Sequence, residues 1–238
     1  LPSLLGIFLA VIAIPVHLQI NGKSDYGNYI FFHFIISFGL LFNMGINKIV
    51  AIEIAKKKFS IEIIKQSLKL SLKIIFFFLF LSLILNFFLS DHYNFFIVGI
   101  GLGLGIVYLT LEGILQGFKN FKLLSIVNFV FYTLSLNIPS IFLITNYTLD
   151  FEDLIKFSIF LKILSILIIL FYLKKFYKSN HNKYSKYNFS IKFKKYSKWY
   201  SLHLLNLQIF DLMDKYLIKF FMGPIALAIY SIPYQLAG

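Results

Sequence analysis

The chain has no cysteine in its 238 residues, which removes disulfides, thiolate zinc sites and cysteine nucleophiles from consideration. Charge is scarce: 14% of residues are charged and ten are acidic. The five histidines and ten acids show no metal-ligand spacing, so neither a metal nor any other cofactor is implied. Every one of the 23 basic residues is lysine, and the formal net charge is +13. Apolar side chains dominate instead, with 59% hydrophobic residues, 19% aromatic residues and a mean hydropathy of +0.80. That mixture lies far outside soluble composition and implies an all-α, polytopic membrane protein.

About 20 mostly apolar residues are needed for a helix to cross the hydrocarbon layer. Runs of that kind are expected near residues 1–20, 28–50, 67–90, 95–117, 123–145, 154–173 and 199–222, with an eighth starting around Pro224. The first run has no small-residue cleavage site and is read as the first membrane helix, not a removable signal peptide. The chain starts at Leu1 and stops at Gly238 inside an apolar run, and is expected to be a fragment. Three parts follow: a six-helix lobe over 1–173, a basic linker over 174–198, and a seventh helix with the start of the next over 199–238, the beginning of a second lobe.

The loops alternate in charge. Segment 51–66 carries Lys56, Lys57, Lys58 and Lys65 against Glu53 and Glu62; its isoleucines suit a position along the inner interface. Segment 118–122 carries Lys119 and Lys122, and segment 174–198 carries nine lysines and no acid. In the intervening loops Lys23 is balanced by Asp25, Asp91 stands alone, and Asp150, Glu152 and Asp153 form an acidic cluster. The positive-inside rule then makes the basic loops and the N-terminus cytoplasmic. Because the long lysine run lies between two spans, topology and contact with anionic membrane lipids outweigh nucleic-acid binding, and no nucleic-acid partner is expected. Asn146, Tyr147 and Thr148 fit a glycosylation sequon formally, with little weight.

A charge at mid-bilayer costs about 2.5 to 3.5 kcal/mol on the insertion scale, so polar residues inside spans need a partner, water or a purpose. Asp211, Asp214 and Lys215 sit at i, i+3 and i+4 in the seventh run, with His203 and Gln208 on the same side. Asp211 stands about 18 Å into that helix at 1.5 Å per residue. The stripe reads either as an ion pair joining helices or as a water-lined pathway; one lysine cannot neutralise two aspartates, which favours the pathway. Lys219 is placed to snorkel outward. In the fourth run Gly101, Gly105, Tyr108, Glu112 and Gln116 share a face, and Gly99 with Gly103 forms a further small-x-x-x-small pair. Glu112 is either a lining, proton-titrating residue or a packing carboxylate. Asn128, Tyr132, Ser135 and Pro139 mark one face of the fifth run, ending at an expected kink. Ser158, Lys162 and Ser165 mark the sixth, with Lys162 about 12 Å from its outer end. His33, Asn43 and Asn47 suit interhelical hydrogen bonds. Such stripes fit either a central hydrophilic cavity or a compact bundle.

A short internal echo is present: Gly22 and Tyr29 recur as Gly223 and Tyr230, both at an offset of 201 residues. That offset suits two successive six-helix lobes, as in parallel-repeat transporters.

The closing stretch "DKYLIKFFMGPIALAIYSIPYQLAG" resembles the seventh-to-eighth helix signature of bacterial polysaccharide biosynthesis proteins, the O-antigen and capsule flippases of the multidrug/oligosaccharidyl-lipid/polysaccharide exporter superfamily. Asp214, Gly223, Pro224 and Tyr230 carry the match, and Ala228 stands where glycine is common. "NGKSDYGNYIFFHFIISFGLLFNMGINKIVAIEIAKK" resembles the family's first-loop pattern, with Tyr26, Gly27, Tyr29 and Gly45 in place. "EGILQGFKNFKLLSIVN" resembles its fourth-to-fifth helix junction.

The resemblance implies a transporter of 12 to 14 helices in the bacterial cytoplasmic (inner) membrane, of which this chain is the first lobe and the start of the second. It implies no enzyme activity, but movement of an oligosaccharide linked to undecaprenyl pyrophosphate from the inner to the outer leaflet, alongside other polysaccharide assembly proteins. The expected cavity and ion-coupling residues are Asp211, Asp214, Lys215, Lys162, Glu112, Asn128 and Tyr132. In that scheme Lys162 and Lys215 attract the anionic head, while Asp211, Asp214 and Glu112 hold the lysines or carry a coupling ion. The alternatives are a multidrug antiporter of the same superfamily, which wants a net negative cavity; a membrane-embedded polysaccharide polymerase or glycosyltransferase, which wants a sizeable outer loop or an acidic metal site; and a non-transporting scaffold.

Overall fold

A computed structural model describes residues 2–57, 61–89, 95–145, 149–179 and 189–237, with some side chains in these helices, among them those of Gln208 and Asp211, outside the description. The sequon at Asn146 and most of the lysine linker also lie outside the described residues. The elements are α1 (Pro2–Ile20), α2 (Gly22–Gly39), a 3-10 turn (Leu40–Asn43), α3 (Ile46–Lys57), α4 (Ile61–Leu89), α5 (Phe95–Gly117), α6 (Phe121–Asn128), a π-helical turn (Phe129–Leu134), α7 (Ser135–Phe142), α8 (Phe151–Ser179) and α9 (Phe189–Ala237). No strand occurs among the described residues, and the chain is an all-α membrane protein.

Among the described residues five stretches are long and apolar enough to cross a membrane: Ile61–Phe88, Phe95–Gly117, Phe121–Phe142, Phe151–Lys174 and Leu212–Pro233. A sixth is Gly22–Asn43 with Ile46–Lys56, if this pair, bent by 50°, counts as one span. Seven were expected, and the differences have local causes. Leu4–Ile20 is apolar but shorter than a full span. The run at 28–50 breaks where Met44 and Gly45 adopt positive φ of 51° and 75°, a conformation that ends a right-handed helix. A Cβ on Gly45 would come within 2.7 Å of the Tyr200 side chain, so space as well as φ requires glycine there. In α9 the most apolar window lies C-terminal to residues 199–211, which carry Ser201, His203, Asn206, Gln208 and Asp211. Gly223 interrupts α9 with φ 85° and ψ −179°, so the helix break expected before Pro224 is present.

The chain forms two compact units that interleave along the sequence: Leu1–Ile35 with Ser125–Ser165 and Ile209–Gly238, and Ile36–Leu124 with Ile166–Gln208. In the first unit α1 packs on α7 and the π turn. Gly6, Ala10 and Ala13 lie on one face of α1, the alanines are buried, and a Cβ on Gly6 would lie 3.1 Å from the Thr133 methyl. Small residues there let the backbones approach, the means by which apolar helices associate in lipid.

In the second unit α5 packs between α3 and α4. One face of α5 supplies the approach: a Cβ on Gly99 would meet Ser82, one on Gly103 would meet Ile75, and one on Gly113 would lie 2.2 Å from the Asn47 carbonyl. A Cβ on Gly117 would lie 2.7 Å from the Ile54 Cβ of α3. Within segment 51–66 Ile54, Ile61 and Ile63 are buried in protein, while Ile52 is exposed. Across this packing Asn43 Nδ2 donates to the Ile106 carbonyl (3.3 Å) and to Thr110 Oγ1 (3.2 Å), and Thr110 shares a 2.6 Å bond with Ser71. Asn43 thus has the interhelical role expected of it.

Candidate functional site

The first unit holds a buried polar row. His17, in the last turn of α1, is fully buried, and its Nδ1 lies 2.8 Å from Ser140 Oγ on α7. Its ring meets Tyr26 at 5.1 Å and Tyr29 at 5.3 Å between centroids. Tyr29 continues the row to His33, 4.8 Å away and edge-on. His33 Nε2 reaches Ser158 Oγ of α8 at 3.5 Å, the interhelical contact expected of it. One turn further along α8, Lys162 is 3% exposed with its Nζ 5.5 Å from the Phe131 ring centroid. Among the described residues no carboxylate pairs with Lys162, whereas exposed Lys156 is joined to Glu152 and Asp153.

The local backbone explains why Tyr29 is buried. Pro139 has no N–H and leaves the Ser135 carbonyl, four residues back, without its usual helical donor. The Tyr29 hydroxyl of α2 donates to the Leu136 carbonyl at 2.9 Å and, more weakly, to that of Ser135 at 3.3 Å, so its one proton is shared over the carbonyls of the proline-broken turn. An unmade bond at that depth costs more than a satisfied one gains, so a tyrosine is favoured over phenylalanine.

The closing helix contributes a second group. The Asp214 carboxylate accepts the Lys215 backbone N–H at 2.7 Å through Oδ1 and the Tyr230 hydroxyl through Oδ2. This bond spans the break at Gly223. Lys215 is 1% exposed, with Nζ 5.2 Å from the Phe34 ring centroid. Lys219, expected to snorkel, donates to Asn28 on α2 and stands over Phe31. Tyr216 donates to the Phe34 carbonyl at 3.1 Å, and Tyr26 donates to Gln235 at 3.1 Å. The backbones meet at Gly27, where a Cβ would lie 2.0 Å from the Pro224 carbonyl oxygen.

Of the residues expected to form the site, Lys162, Asp214, Lys215, Asn128 and Tyr132 belong to the first unit and Glu112 to the second. The Asp211 side chain lies outside the described residues. Glu112 accepts a 3.0 Å bond from Gln116 one turn on, with Lys48 of α3 acting on it electrostatically. The Asn128, Tyr132, Ser135 and Pro139 face does not persist as one stripe. The π turn over 129–134 takes more residues per turn and rotates what precedes it. Phe131 is consequently buried and faces Lys162, whereas Tyr132 is 41% exposed. Sequence reasoning passed over His17; its signal was one imidazole in a mostly apolar helix, two residues after Pro15. Among the described residues no group of three or more His, Cys, Asp or Glu is placed to hold a metal ion.

Residues 3–238 match the family described as Polysaccharide biosynthesis protein. The chain belongs to that family. The resemblance in its closing and first-loop motifs is therefore shown, and with it membership of the multidrug/oligosaccharidyl-lipid/polysaccharide exporter superfamily. A search of curated proteins and a search of solved structures each gave no match. In this chain the residues of those motifs have physical roles. Gly27 admits the Pro224 carbonyl, Tyr29 serves the proline-broken helix, Gly45 and Gly223 bend the chain, and Tyr230 returns to Asp214.

Proposed function

We propose that the chain works in a flippase that carries a lipid-linked oligosaccharide, borne on undecaprenyl pyrophosphate, across the bacterial cytoplasmic membrane, and that it is a transporter, not an enzyme. In this reading residues 1–173 are the first six-helix lobe, 174–198 the cytoplasmic linker and 199–238 the start of a second lobe, with the N-terminus inside. Family membership supports a polysaccharide-related task. The alternation of lysine-rich and acidic loops supports the orientation.

The observation that carries the reading is buried Lys162. A lysine at mid-bilayer costs about 2.5 to 3.5 kcal/mol, whereas an aromatic face returns about 0.5 to 2 kcal/mol. The Phe131 ring alone does not offset the charge, and no carboxylate does so among the described residues. A pyrophosphate head is the complement that this transport task supplies. A sugar and pyrophosphate head cannot cross hydrocarbon unaided, so it passes through a hydrated path while the polyprenyl tail stays in lipid. Lobes rocking about that path alternate its exposure. The same lysine argues against the antiporter of organic cations, which it would repel.

Deletion of the gene in its host tests the proposal. Lipid-linked oligosaccharide should accumulate in the inner leaflet and surface polysaccharide should be lost, with drug sensitivity unchanged. Raised drug sensitivity with intact surface polysaccharide would establish the antiporter instead.

A further inference from the structure

The N-terminal half of α4 carries its lysines on one side. At about 100° per residue Lys65, Lys69 and Lys73 fall on the same face as Leu72, Phe76 and Phe80, and all six side chains are exposed. The opposite face holds buried Ile63, Ser67, Ser71 and Phe78, and there Ser71 bonds to Thr110 of α5. The lysine face therefore points away from the helix on which α4 packs. Among the described residues no carboxylate pairs with any of the three lysines. Glu62, the acid at the start of the same face, accepts a 2.7 Å bond from Gln66.

The length of the helix sets the depth of this row. α4 has 29 residues and is about 43 Å long, more than the roughly 30 Å of hydrocarbon that it has to cross. From Ile74 to Leu89 it carries no charge over about 24 Å. With Leu89 at one edge of the hydrocarbon, the other edge falls about one turn before Ile74, close to Lys69. Lys65 then stands among the headgroups, and Lys73 reaches back to them along its own stem. Three ammonium groups, spread over about 12 Å of helix axis, thus converge on one headgroup layer.

Orientation of the chain requires less than this. The positive-inside bias depends on how many lysines lie near a loop and is indifferent to the face they take. Here the lysines align above an exposed apolar strip with no acid between them. Cations at headgroup level with aromatic and aliphatic surface beneath are the complement of an anionic amphiphile. A zwitterionic lipid would bring a cation of its own to the row. A second copy of the chain, meeting this face with its own, would set two lysine rows against each other.

We propose that Lys65, Lys69 and Lys73 bind the phosphate of an anionic phospholipid whose acyl chains lie along Leu72, Phe76 and Phe80. On the orientation proposed above this lipid belongs to the cytoplasmic leaflet, whose anionic lipids give that surface its negative potential. Only the leaflet rests on that orientation. The row lies on a span of the second unit, apart from the linker over 174–198 in sequence, and buried Lys162 belongs to the first unit.

The test uses the full-length protein in detergent, titrated with phosphatidylglycerol or phosphatidylcholine and followed by native mass spectrometry. Phosphatidylglycerol should bind about tenfold more tightly or better. Lys65→Gln, Lys69→Gln and Lys73→Gln together should remove that preference, at about fivefold per lysine, the equivalent of about 1 kcal/mol each near an anionic surface. Loss of as many charges from exposed lysines elsewhere, through Lys56→Gln, Lys119→Gln and Lys122→Gln, should preserve it. Equal loss in the two triple variants would show diffuse attraction to net charge and overturn the site, as would no preference in the unaltered protein. Binding of a polyprenyl pyrophosphate that the first triple variant loses, with phosphatidylglycerol ignored, would assign the row to that lipid and overturn the phospholipid. A second measurement leaves the lysines intact: in nanodiscs a fluorophore at Phe76→Cys should be quenched more by brominated phosphatidylglycerol than by brominated phosphatidylcholine at equal mole fraction. Equal quenching contradicts the selectivity, and no quenching by either shows protein covering the face and contradicts the site. None of these outcomes depends on transport.

Discussion

The Tyr230 hydroxyl donates to the Asp214 carboxylate across the helix break at Gly223, so two residues of the family's closing signature hold one bend. A hydrogen bond to a charged group contributes about 1.5 to 3 kcal/mol, and the lower figure applies because Tyr230 is 40% exposed. Tyr230→Phe should therefore lower the midpoint of thermal unfolding in detergent. Asp214→Asn, which keeps an acceptor oxygen, should lower it less than Asp214→Ala. Equal stability of Tyr230→Phe and the unaltered protein would show that the bend stands without this bond.

Gly27 and Gly22 are required for different reasons, and alanine separates them. At Gly27 a Cβ would press on the Pro224 carbonyl, whereas at Gly22 it would meet nothing within 4 Å but would have to adopt φ 82°. Gly22→Ala should cost about 1 to 2 kcal/mol from backbone conformation alone. Gly27→Ala should cost about 1 to 3 kcal/mol and shift α2 relative to the end of α9. A spin-label distance between α2 and the segment after Pro224 should therefore change for Gly27→Ala and hold for Gly22→Ala. Gly223 shares the positive φ and open surroundings of Gly22, at 85° against 82°. The sequence echo at offset 201 thus extends to backbone conformation.

Tyr29 and Pro139 form a coupled pair. Tyr29→Phe should cost about 1 to 3 kcal/mol in the unaltered chain, because it strands the carbonyl that proline left open. In a Pro139→Ala background the helix serves that carbonyl itself, and the cost should shrink by at least half. A double-mutant cycle measures the difference, and additive effects would contradict the coupling.

Thr110 ties the 3-10 turn to α4 and α5 through Asn43 and Ser71. Hydrogen bonds between membrane helices average about 0.6 kcal/mol and reach about 1.7. Thr110→Val, which keeps the shape, should cost an amount within that range. Gly113→Ala should cost more, since it drives a Cβ against the Asn47 backbone. The reverse order, measured by unfolding in mixed micelles, would place the unit's cohesion in polar bonds over close approach.

Much of this arrangement is legible in the residues. Apolar length located α5 and α8, and the Gly223-Pro224 pair marked the break in α9. Gly99 and Gly103 announced a close-packed face, and the burial of Ser158, Lys162 and Ser165 follows the stripe read at helical spacing. The π turn was not legible. A 100° wheel assumes an unbroken α-helix, and in "NFVFYTL" no glycine or proline marks the extra residue, so such a wheel puts Tyr132 in the inward place that Phe131 takes. The bend at Met44 and Gly45 was equally hidden, because apolar length does not register a change of φ. His17 escaped notice because its partners, Tyr26, Tyr29 and Ser140, come from other helices.

Translocation by the purified full-length protein, in proteoliposomes loaded with lipid-linked oligosaccharide, tests the central claim most directly. Lys162→Arg should retain transport. Lys162→Ala should slow it by about tenfold or more, equivalent to about 1.4 kcal/mol of lost attraction for the anionic head. Transport by Lys162→Ala at the unaltered rate would contradict the assignment of that buried cation to the substrate.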